Sequence, residues 1–184
     1  MLQRMLPLAI VLPILATGAI ACSKNLGRPN RADAQTQLDQ TVSPQETEEF
    51  RKLLVDYYTA WSIPTNKSWN IAMAEKFYQR NDRMFGFDFN PPAEGFQGWE
   101  AYEHELTMIM SNYPKFTVTL GDRFLVYRNG NVVWTVSTFN ITGTLKNGSP
   151  IAGSGRNTLV WERVGDQWLI AHEHVSTPLV PSSK

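Results

Sequence analysis

The C-terminal run Trp168-Leu-Ile-Ala-His172-Glu-His174-Val-Ser176 holds two imidazoles two residues apart. Strand alternation would put Trp168, Ile170, His172, His174 and Ser176 on one side, and Leu169, Ala171, Glu173 and Val175 on the other. Two imidazoles sharing a strand face could serve as general base, as oxyanion partner or as metal ligands, or could pack and orient a ligand without chemistry. A metal would want at least one more protein ligand. Asp88 is the acidic side chain that can be placed nearby, and neither a metal nor another cofactor is expected. Asp88 is a candidate in its own right: a carboxylate in a dry pocket has a raised pKa and can move protons near neutrality. The competing reading is a strand-end Asp that faces solvent or caps a loop. Cys22 is the only cysteine, so no internal disulfide can form and the fold must stand on its core.

These residues need elements to hold them. Ser43-Pro44-Gln45-Glu46 reads as a helix start, with Ser at N-cap, Pro in the first turn and Glu three residues on. Phe50, Leu53, Leu54, Tyr57 and Trp61 then recur at helical spacing, and Pro64 ends the helix. A shorter second helix is expected over 68–78, with Trp69, Met73 and Phe77 along one side. Residues 84–89 alternate as a strand, with Phe85, Phe87 and Phe89 on one face and Asp88 on the other. A third helix is expected over 99–111, carrying Trp99, Tyr102, Leu106 and Ile109. After Pro114, the turn signals Asn129-Gly130, Asn147-Gly148 and Gly165-Asp166 divide the chain into strands near 115–128, 131–146, 149–164 and 167–177. Consecutive hairpins of this length imply a curved antiparallel meander, covered on one face by the helices and solvated or paired with another subunit on the other.

The N-terminus reads as a targeting signal. Arg4 precedes an uncharged stretch, 5–21, that ends in small residues directly before Cys22. The stretch is short for a membrane span and carries Pro7 and Pro13. Cys22 in this place resembles the lipidated cysteine of bacterial lipoproteins, although Ala19 stands where Leu is usual and Ala19-Ile-Ala21 also suits ordinary cleavage. The reading favoured is a signal peptide over 1–21, lipidation at Cys22, a flexible tether over 22–42, one domain over 43–178 and a tail over 179–184, exported to the periplasm and touching the membrane only through its lipid. Acidic and basic residues balance at 17 each, which gives nucleic acid no basic patch to bind. No G-x-S-x-G, phosphate-binding loop, C-x-x-C or dinucleotide fingerprint is present.

Gly98-Trp99-Glu-Ala, Gly155-Arg156-Asn-Thr158, Trp161 and the run from Trp168 to Pro178 resemble SnoaL-like domains of the nuclear transport factor 2-like (NTF2-like) superfamily, over about residues 43–178. The resemblance implies an α+β cone, with three N-terminal helices packed on a curved, mostly antiparallel sheet around an apolar cavity. It implies that the Trp168/Ile170/His172/His174 side faces that cavity. It also implies a role for Asp88, which with Pro91-Pro92 and Gly98 approximates the order around the proton-shuttling carboxylate of ketosteroid isomerase. Tyr57 would then be the oxyanion donor, or else core. Trp61, Trp99, Trp134, Phe139, Arg156 and Trp168 complete the expected lining. Arg156 would pair with an acidic ligand or, preferably, with Glu162 or Glu173. Family members catalyse or merely bind, so the first expectation is a binding or accessory module for a small apolar or aromatic molecule, as a homodimer through the sheet. The second is an isomerase-, cyclase- or dehydratase-type enzyme using Asp88 with His172 or His174 on a carbonyl compound. The third is a dimerising assembly module with a filled pocket.

Overall fold

The structure, a computed structural model, describes residues 42–64 and 67–178. The expected signal peptide, nearly all of the tether and the tail lie outside the described residues. Helix α1, Pro44–Trp61, starts as the sequence predicts: Ser43 Oγ accepts the Glu46 N–H at 3.1 Å. The Glu46 carboxylate turns away to Arg128 of the sheet instead of closing the capping box. Phe50, Leu54, Tyr57, Tyr58 and Trp61 are buried along its inner face.

The second helix is a correction. In place of an α-helix over 68–78 stand two 3-10 turns, Ile71–Met73 and Glu75–Phe77. A segment this short gains little from helix cooperativity, and tertiary contacts decide its path. Asn70 caps the first turn through its side chain, and Tyr78 and Gln79 then run alongside the last strand, where Gln79 N–H donates to Ile170 O at 2.9 Å. Helix α2, Trp99–Met110, enters through Gly98, whose φ of 84° is open to glycine at little cost.

One six-stranded sheet carries the rest, comprising β1 (Phe85–Phe87), β2 (Phe96–Gln97), β3 (Lys115–Asn129), β4 (Val132–Thr144), β5 (Pro150–Val164) and β6 (Gln167–Ser176). Their spatial order is β2-β1-β6-β5-β4-β3. The long strands form the expected meander, while β1 lies parallel to β6 and makes the sheet mixed. The result is the expected α+β cone, with helices packed on one face of a curved mixed sheet. Its core lies between the helices and the inner sheet face, on Val133, Leu159, Trp161 and Ile170.

Two irregularities steer side chains. β3 loses register on β4 between Leu120 and Phe124. β6 pairs Ile170 with Trp161 but His172 with Val160, so Ala171 is an extra residue, a β-bulge. Before the bulge Ile170 points inward; after it Glu173 and Val175 do, both buried.

Candidate functional site

The bulge decides which chemistry faces the interior. Expected to line the cavity, His172 and His174 lie on the outer face instead, because the extra residue at Ala171 exchanges the two sides of β6. His172 Nδ1 sits 3.0 Å from Phe85 O, and His174 packs on the Phe87 ring. Glu173, on the opposite side from the presumed cavity face, is the residue that points in, with 1% of its surface exposed.

Four donors surround it. Tyr57 from α1 and Asn157 from β5 donate to Oε1, the latter at 3.0 Å. Tyr78, after the 3-10 turns, and Tyr102, from α2, donate to Oε2 at 2.5 and 2.9 Å. A carboxylate offers about four lone-pair sites, so this one is saturated. Burial raises the Glu173 pKa above its ordinary value, the three phenol bonds oppose that rise, and the Asp88 charge adds to it. Burial and the adjacent carboxylate push the three phenols well above their usual range, so they stay protonated donors at neutral pH. Glu173 is thus a hub that ties two helices, the segment after the 3-10 turns and two strands to one point, with no lone pair left over.

The cavity beside this hub measures about 70 Å³. Its wall is mostly aromatic and aliphatic, with Tyr57, Tyr58, Trp61, Tyr102, Phe116 and Phe139 prominent. Phe139 lies flat across Gly155, where an added Cβ would fall 2.2 Å from the ring. Asp88 reaches the same cavity from the loop after β1, and its Oδ1 accepts the Asn90 N–H at 2.9 Å. Burial raises the Asp88 pKa, against the lowering effect of the Asn90 and Phe89 hydrogen bonds.

Two buried polar atoms of wall residues, Trp61 Nε1 and Asn157 Oδ1, have no hydrogen-bond partner among the described residues. The second follows from the hub. Asn157 must turn its amide N–H toward the acceptor-only carboxylate, which leaves its carbonyl oxygen aimed elsewhere. Both atoms are fully buried behind the cavity surface, and the wall itself offers one carboxyl group, Asp88, in an apolar setting.

Of the expected lining, Asp88, Tyr57, Trp61 and Phe139 meet at this cavity and the others do not. Trp134 sits on the outer face, stacked on Tyr127 at 5.4 Å, because it lies an odd number of residues from Phe139 on one continuous strand. Trp168 packs on Phe50 at 5.3 Å, near the far end of the β5–β6 hairpin. Trp99 is buried behind Tyr78, with ring centroids 4.9 Å apart. Arg156 projects from the outer face and pairs with neither Glu162 nor Glu173. Glu162 instead meets Arg83 at 3.7 Å. The tyrosine hub escaped the sequence reading, and its available signal was a lone charge, Glu173, among the apolar positions of a terminal strand. Among the described residues no group of three His, Cys, Asp or Glu is arranged to hold a metal ion.

The chain belongs to the SnoaL-like domain family, with residues 51–180 matching it. No curated protein matches the chain. Among solved structures, an NTF2-like protein from Pseudomonas putida superposes with a TM-score of 0.61 at 22% identity, over 77% of this chain and 92% of that one. An NTF2-like superfamily protein from Salmonella enterica gives 0.58 at 19% identity, over 77% and 94%. A candidate dehydratase of the NTF2-like family from Streptomyces avermitilis gives 0.59 at 16% identity, over 75% and 100%. Likeness at these identities defines the fold and leaves the activity to the site.

Proposed function

We propose that this protein binds a small, largely aromatic or apolar molecule in the cone cavity, one able both to accept and to donate a hydrogen bond. The observation that carries this reading is the mostly aromatic and aliphatic cavity wall, two of whose residues, Trp61 and Asn157, hold a buried polar atom with no partner among the described residues. An orphaned buried polar atom costs about 1–3 kcal/mol, a cost that a bound ligand with matching groups removes when the side chain turns toward it. The size of the cavity argues for a compact guest: about 10–15 Å³ holds one water by this measure, so 70 Å³ admits several waters or a single ring.

Native mass spectrometry of the purified mature protein, followed by titration with phenol and 4-hydroxyacetophenone, tests this. The expected result is a co-purifying small molecule or saturable binding of a probe, weakened about fivefold in Trp61→Phe, which deletes the donor but keeps an aromatic ring. An empty protein that binds neither probe at about millimolar concentration would overturn it.

A second reading rests on Asp88. A carboxyl group with a raised pKa on a dry cavity wall can move a proton, while the single hydroxyl hydrogens of Tyr57 and Tyr102 beside it are already given to Glu173. Under this reading the protein catalyses isomerase- or dehydratase-type proton transfer on a carbonyl compound, without the histidines. Exchange of the acetyl protons of 4-hydroxyacetophenone in deuterium oxide reads it out. We expect a loss of about 10²-fold or more in Asp88→Asn. Exchange equal to buffer in the parent protein would remove the catalytic reading and leave the binding one intact.

We further propose that the chain is exported, cleaved before Cys22 and lipidated there, with 22–42 as tether. The support is the N-terminal sequence. Labelled palmitate should enter the parent protein and be absent from Cys22→Ser, which should move from the membrane to the soluble envelope fraction. Cleaved, unlabelled, membrane-free parent protein would refute the anchor.

A further inference from the structure

The outer sheet face carries a second built site, made from residues the cavity leaves unused. Thr138 of β4 stands opposite Arg156 of β5, and Arg156 opposite Ser176 of β6. One step along, Thr158 stands opposite His174. All five point outward, since their neighbours Ser137, Asn157, Glu173 and Val175 are buried on the inner face. The irregularity in β3 adds a sixth: it brings Arg123 onto Thr138, whose Oγ1 accepts the Arg123 backbone N–H at 3.1 Å.

These six residues wall an open pocket of about 320 Å³. No carboxylate lines it. Among the described residues neither the Arg123 nor the Arg156 guanidinium has a salt-bridge partner, while Arg51, Arg80, Arg83, Arg128 and Arg163 each have one. Two guanidinium groups on one concavity repel each other unless an anion lies between them. Two planar forks, three hydroxyls and an imidazole also offer more donors than the four or so lone-pair sites of a carboxylate can use. A phosphate group, with more oxygens and up to two charges, matches that supply.

We propose that this pocket binds a phosphate group, as inorganic phosphate or a phosphomonoester, held between Arg123 and Arg156 with Thr138, Thr158, Ser176 and His174 as further partners. The site lies on the opposite side of the sheet from the cavity and does not depend on what the cavity binds.

Inorganic phosphate is the probe, with chloride at matched ionic strength as the control. In the parent protein, about 50 mM phosphate should raise Tm by about 3–6 °C, from mass action on a millimolar site. It should also shift the His174 imidazole resonances in a saturable way. Both responses should vanish in Arg123→Gln/Arg156→Gln, whose side chains are exposed, so the fold should survive. Unmoved His174 resonances, or a Tm gain that persists in the double variant, would overturn the proposal. So would a double variant whose only change is a smaller sedimentation coefficient, because the pocket would then be a contact between subunits.

Discussion

A buried carboxylate is usually a liability, and Glu173 shows how one is made tolerable. Tyr57, Tyr78, Tyr102 and Asn157 fill its lone pairs, and the same bonds fix the side chains that wall the cavity. Its titration has a definite sign. Burial raises the folded-state pKa of Glu173 and of Asp88 above the unfolded value of about 4.3 or 3.9. Between the unfolded and folded values the folded protein holds protons that the unfolded chain has released. Stability from these two groups is therefore fully present below the unfolded pKa and is lost as pH rises through the folded one. Urea unfolding across roughly pH 4 to 8 should show this fall. Glu173→Gln should flatten the slope and cost about 1–3 kcal/mol, since an amide cannot satisfy all four donors. A slope that rises with pH and is indifferent to Glu173→Gln would contradict the assignment. Tyr57 and Trp61 were legible because helical spacing alone puts them on the inner face of α1. Glu173 was not, because alternation along β6 assigns a face only while pairing is unbroken.

That break comes from packing between elements. The sequence of β6 contains no Gly or Pro, and nothing in it marks Ala171 as the bulged residue. The bulge is set by neighbours: Ile170 must stay in the core beside Trp161, while Glu173 must meet three tyrosines from other elements. The short 68–78 segment escaped for a related reason, since its contacts with β6 outweigh a helical pattern too brief to sustain itself. Trp134, by contrast, could have been placed correctly from strand parity alone. β1 imposes its own condition on the hub. A Cβ on Gly86 would lie 2.8 Å from the Tyr102 ring, which donates to Glu173 from the other side. Gly86→Ala should push that ring away and weaken the bond, at a cost of about 1–3 kcal/mol. Thermal unfolding reads the cost. The ring's displacement should also show as faster hydroxyl exchange at Tyr102, and an unchanged Tm would mean that the sheet yields instead of the ring.

At the scale of the whole molecule, the two sheet faces divide the work. The inner one closes the cavity. The outer one runs Tyr127, Trp134, Val160, His172 and Phe85 across five strands in register, with Leu125, Val136, Thr158, His174 and Phe87 in the next row. Tyr127 and Leu125 are 43% and 40% exposed, which is a poor use of aromatic and aliphatic surface in a free monomer. We propose that a second copy of this chain covers the first of these rows and Leu125 beside it as a homodimer, while the arginine pocket, which takes Thr158 and His174 from the second row, stays open at the margin. Sedimentation equilibrium should then give a dimer for the parent protein and a monomer for Tyr127→Glu/Trp134→Glu, because four like charges would face one another across a two-fold contact. The cavity lies behind the sheet, so probe affinity there should change by less than about twofold in the double variant, within the usual additivity of distant sites. The phosphate response should likewise persist, since Arg123 and Arg156 are untouched. A monomeric parent protein at about 100 µM would rule out the dimer. Loss of the phosphate response in the Tyr127/Trp134 variant would instead mean that dimer and pocket form as one structure, with the anion held at the contact and not beside it.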